Sequence, residues 1–102
     1  PGTAYLQYEG RDAEILKAAL KSGRMPAVTY DGRDPNYSGR ISHMVTLVFL
    51  DDKLAAISDN NFPKEIMWMT TKEFVDRWCG GPTGKGWAVI LLSPPPPPPP
   101  RN

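Results

Sequence analysis

The chain has 102 residues, 40% of them hydrophobic, with three tryptophans, enough for one packed domain and no more. Twelve Lys and Arg against eleven Asp and Glu give a formal net charge of +1, which argues against nucleic acid or a strongly charged partner. A single cysteine, Cys79, excludes an internal disulfide and the usual zinc clusters, and no apolar stretch approaches the roughly 18 residues that span a bilayer.

Residues 1–10 show no clear period and no signal-peptide pattern. The chain starts at Pro1 rather than Met, from which we expect a preceding segment in the natural protein. Asp12 can cap a helix whose apolar residues Ile15, Leu16, Ala18, Ala19 and Leu20 fall largely on one face, and Gly23 suits the position that ends it. The reading is a helix over 12–22. A short apolar, β-branched run at 25–30 predicts a strand, and residues 31–41, rich in Gly, Pro, Asn and Asp, predict a loop without the calcium-binding pattern.

Next comes an apolar run from His43 to Leu50, then Asp51-Asp52, then Lys53 to Ser58 and Asp59-Asn60-Asn61. This predicts a hairpin, its first strand apolar on both faces and therefore expected to be covered on both. With Asp51 and Asp52 as the loop, Asn60 faces His43, and a slip of one residue brings Asp59 or Asn61 there instead. Thr70 with Glu73 predicts a capped helix over 70–78 whose apolar side holds Phe74, Val75 and Trp78. Gly80-Gly81-Pro82 stops it, and 86–92 reads as a buried strand. The glycine-rich stretch 80–86 lacks phosphate-loop spacing and leads into a strand. Residues 94–100 are seven consecutive prolines, which cannot join a helix or sheet and favour polyproline II.

The fold class expected is α+β, a small and mostly antiparallel sheet with two helices over 1–93, followed by a proline-rich tail, 94–102. His43 is the only histidine. Its reference pKa near 6.5 suits it to take up and return a proton at neutral pH. An acid or amide beside it fixes the imidazole tautomer, as the third member of a catalytic triad does. The plainer alternative is a strand-start histidine bonded to a backbone carbonyl.

A histidine opening an apolar strand, Asp59-Asn60-Asn61 ending the next strand, and the segment Trp68-Met69-Thr70-Thr71-Lys72-Glu73-Phe74-Val75-Asp76-Arg77-Trp78 together resemble the C-terminal part of papain-like cysteine peptidases. The nearest branch is that of bacterial, bacteriocin-processing-type peptidase domains. The segment from Leu20 to Val28 is similar to the place where those domains pass from helix to strand. The resemblance covers about residues 13–92. It implies thiol-dependent peptide-bond hydrolysis with no cofactor and no metal, His43 as general base and acid, and Asp59 or Asn60 as its orienting group. The family spacing favours Asp59, sixteen positions after His43, whereas a two-residue hairpin loop favours Asn60.

The family's nucleophilic Cys opens a helix well before the histidine, and an oxyanion glutamine precedes it. Here Gln7 is the sole glutamine and no helix with a Cys follows it. Cys79 comes after His43, at a helix end whose negative dipole disfavours a thiolate. Two readings follow. In one, the chain is the histidine-bearing part of a peptidase whose Cys lies outside it, acting on a peptide or protein and pairing with an upstream segment or a second copy. In the other, it is an inactive peptidase-like binding or scaffold module. The tryptophans read as core rather than as a substrate groove. The proline tract reads as a stiff spacer or as a ligand for aromatic grooves.

Overall fold

A computed structural model describes residues 4–32, 41–59, 65–81 and 83–92, with side chains apart from those of 32 and 41–43. Eight elements follow in order: β1 (Tyr5–Gly10), α1 (Glu14–Lys21), β2 (Ala27–Gly32), β3 (Ile41–Leu50), β4 (Leu54–Ser58), β5 (Ile66–Thr70), α2 (Thr71–Trp78) and β6 (Gly86–Leu91). The strands form one sheet in the order β1-β6-β2-β3-β4-β5, every neighbouring pair antiparallel. The expected class, α+β with two helices on a small antiparallel sheet, is what the chain adopts. Two strands, β1 and β5, are additional to the expected set. The proline-rich tail, 94–102, lies outside the described residues.

Local chemistry sets the helix ends. The Asp12 carboxylate accepts the Glu14 N–H at 3.0 Å, satisfying one of the free donors of the first turn of α1. Gly23, at φ +84°, ends that helix in the left-handed conformation open to glycine. Thr70 Oγ1 accepts the Glu73 N–H at 3.1 Å, as the capping spacing predicts. The Glu73 carboxylate turns instead to Arg77, one helical turn on, at 3.2 Å.

Both helices lie on one face of the sheet. Leu16 of α1 and Phe74 and Trp78 of α2 join Val28, Val45, Leu47, Ile57 and Ala88 of the strands in a single buried cluster. The other face has no covering layer among the described residues. There Met44, Phe49, Trp68 and Trp87 are exposed. The expectation that β3 is covered on both faces is therefore corrected: its apolar outer residues are open because α1 and α2 share the same side. No helix among the described residues is long and apolar enough to cross a membrane.

The hairpin turns one residue later than its sequence suggests. The Asp51 carboxylate accepts the N–H groups of Lys53 (2.8 Å) and Leu54 (2.7 Å), while its own N–H donates to the Leu54 carbonyl at 3.0 Å. Asp52 and Lys53 thus occupy the turn in place of Asp51 and Asp52. The two backbone N–H bonds hold the Asp51 carboxyl below its ordinary pKa. A bulge at Val48 then shifts the ladder between Leu47 and Phe49, and its last pair is Thr46↔Ser58.

Candidate functional site

β3 carries His43 near its start, between β2 and β4. Across the β2 ladder its backbone faces Tyr30. Tyr30 is buried under α2, with its hydroxyl 3.7 Å from Met69 Sδ and the Arg77 guanidinium 5.6 Å above its ring. Tyr30, Met69 and Arg77 are the neighbourhood that sequence reasoning did not find. They converge from β2, β5 and α2, and no local pattern joins them.

On the other side, Asp59 follows β4 directly after the last ladder pair. It is 4% exposed and is the only charged residue buried among those described. A carboxylate is buried at low cost only where partners compensate it, and this one sits at a strand end beside the strand that carries His43. The observed register, continued one step, brings Asp59 alongside Val45, two residues from His43 along β3. Diagonal neighbours of that kind have Cα atoms about 7–8 Å apart, within reach of longer side chains. The register that would set Asn60 squarely opposite His43 is one step away from the observed ladder, because of the later turn and the bulge. Asn60 itself lies outside the described residues.

Cys79 caps the C-terminal end of α2, over the β1–β6 side of the sheet. It is buried, and its Sγ lies 3.7 Å from the Gly10 carbonyl oxygen, to which the thiol donates. Burial pushes its thiol pKa up. A thiolate there is disfavoured by burial and by the helix end alike. The tryptophans divide. Trp78 is core, while Trp68 and Trp87 stand on the open face.

No model of a known protein family matches this chain, and no curated protein matches it significantly. Among the described residues no group of three or more His, Cys, Asp or Glu is placed to hold a metal ion. A cleft of about 480 Å³ opens between the end of α1 and the end of β3, lined by Lys17, Leu20, Phe49, Leu50 and Asp52 among others. It lies at the far end of β3 from His43, roughly 20 Å away at about 3.3 Å per residue. Lys17 bridges Glu14 and Asp52 there, and those two carboxylates raise its pKa. The cleft is thus a self-neutralised surface feature, separate from the histidine.

Proposed function

We infer that this chain is the histidine-bearing part of a papain-like cysteine peptidase domain, with His43 as general base and acid and Asp59 or Asn60 as its orienting group. The observation that carries the reading is the buried Asp59 at the end of the strand next to the one that carries His43. The nucleophile is a cysteine outside this sequence, since Cys79 is packed under Gly10 with a raised pKa. In the reaction, the thiolate sulfur bonds to the amide carbonyl carbon. As the C–N bond breaks, the imidazolium of His43 gives its proton to the leaving amine. His43 then takes a proton from water, which adds to the thioester and releases the acid and the thiolate.

The test is peptide hydrolysis by the full-length gene product. His43→Ala is expected to lower kcat/KM by about 10²–10⁴-fold or more. Hydrolysis left unchanged by that substitution would overturn the reading. A second reading, an inactive peptidase-like binding module, draws on the open apolar face of the sheet. It is favoured if the full-length product never hydrolyses peptides and carries no cysteine upstream.

A further inference from the structure

The exposed apolar residues of the open face are not scattered. Tyr5 pairs with Leu91, and Phe49 pairs with Ala56, which in turn pairs with Trp68. Continuing the β2–β6 ladder beyond Ala27↔Val89 brings Met25, at the head of β2, level with Leu91. Continuing the β2–β3 ladder beyond Ala27↔Thr46 brings Met25 level with Val48, the bulge residue next to Phe49, so a band one to two residues wide across the six strands holds Tyr5, Leu91, Met25, Phe49 and Trp68. These are 57%, 59%, 64%, 40% and 59% exposed, far more open than a sheet interior. At the far end of the band, Ala56 is fully covered while the Phe49 and Trp68 rings stand 5.4 Å apart and tilted by 50°. The two rings form an aromatic cradle with Ala56 as its floor. Contiguous apolar patches beyond a few hundred Å² are rare on monomers unless something binds them.

The chain leaves the described fold at the other end of this same band. The Leu92 N–H is held by the Ala4 carbonyl at 2.9 Å. Arg24, just before β2, donates to the carbonyls of Leu91 (3.0 Å) and Leu92 (3.4 Å). These bonds fix the exit beside Leu91, with Arg24 on the side of β2 toward which the stripe runs. After Ser93 come seven prolines. As polyproline II they span roughly 22 Å at about 3.1 Å per residue. From β6 to β5 are four strand spacings, roughly 19 Å at about 4.8 Å each. The lengths agree, and aromatic-lined grooves are the surfaces that polyproline II segments dock on, because the segment is already ordered and has no amide donors to desolvate.

We propose that Pro94–Pro100 of this chain lies as a polyproline II segment along the apolar stripe on the open face of its own sheet, with the Phe49–Trp68 cradle as its far anchor. The inference does not depend on the peptidase reading. The test uses the whole 102-residue chain, with Cys79→Ser and a nitroxide on Asn102→Cys, observed through the tryptophan indole N–H signals in NMR. The label is expected to erase most of the Trp68 signal and to spare that of Trp78, which is buried on the opposite face. Replacing the seven prolines with an equal length of Gly and Ser should restore the Trp68 signal, and Phe49→Ala should restore it in part. A Trp68 signal unaffected by the label overturns the proposal. So does an equal loss in isotope-enriched, nitroxide-free chains mixed with nitroxide-bearing ones, which would assign the face to the tail of a second copy.

Discussion

Trp78→Ala is expected to destabilise the fold by about 3–5 kcal/mol, the cost of emptying a large aromatic site in a core. Trp78 is 1% exposed and stacks between two rings, Tyr8 and Phe74, each with its centroid 6.2 Å away. Its indole N–H donates to the Trp87 carbonyl at 3.0 Å. Its own carbonyl accepts from the Thr29 hydroxyl at 3.2 Å, and Thr29 Oγ1 in turn accepts the Trp87 N–H at 3.0 Å. One residue thus ties the end of α2 to β1, β2 and β6, which enter the sheet from opposite ends of the chain. For a domain whose total stability is of order 5–15 kcal/mol, the loss shows directly as a lower urea midpoint in far-UV circular dichroism. A change under about 1 kcal/mol, the typical value for any substitution, would contradict this role.

The second large effect is expected at Gly86, opposite Gly10 at the start of β6. A Cβ added there would overlap Nε1 and Cε2 of the Trp78 indole. A rigid, stacked and hydrogen-bonded ring has nowhere to go, so Gly86→Ala is expected to cost about 1–3 kcal/mol, as overpacking does. The cost has a signature that a backbone effect lacks. In the Trp78→Ala background the alanine methyl enters vacated space, so the two changes should be strongly non-additive. Equal costs of Gly86→Ala in both backgrounds, measured by the same urea titration, would rule out the clash.

Much of this architecture is legible where local chemistry decides it. Thr70 caps α2 as its spacing to Glu73 suggests, Asp12 serves α1, Gly23 takes the positive φ that ends it, and the runs of β3, β4 and β6 are apolar enough to stand out. β1 escapes because Tyr-Leu-Gln-Tyr-Glu-Gly is an edge strand, mostly exposed on both faces, so its pattern barely alternates. β5 escapes because Ile-Met-Trp-Met-Thr runs straight into α2 and reads as the approach to a helix. The hairpin register was out of reach for a different reason. It turns on the side chain of Asp51 choosing the N–H groups of Lys53 and Leu54, and on a bulge that no residue at 47–49 announces. An apolar strand likewise does not say which of its faces a helix will cover.

The candidate site is legible in part. His43 and Asp59 stand out by type, and the fold sets their strands side by side with Asp59 buried. Tyr30 and Arg77 enter that neighbourhood only through long-range packing of α2 on β2.

Whether Asp59 or Asn60 holds His43 is tested most directly by titrating the imidazole in NMR, where the sole histidine of the chain gives a signal that needs no assignment. A nearby carboxylate favours the imidazolium, so if Asp59 is the orienting group, Asp59→Asn is expected to lower the His43 midpoint. If Asn60 is the orienting group, Asn60→Ala should instead release the tautomer seen in the ring ¹⁵N shifts. A midpoint and a tautomer unchanged in both variants would contradict the pairing, and with it the peptidase reading.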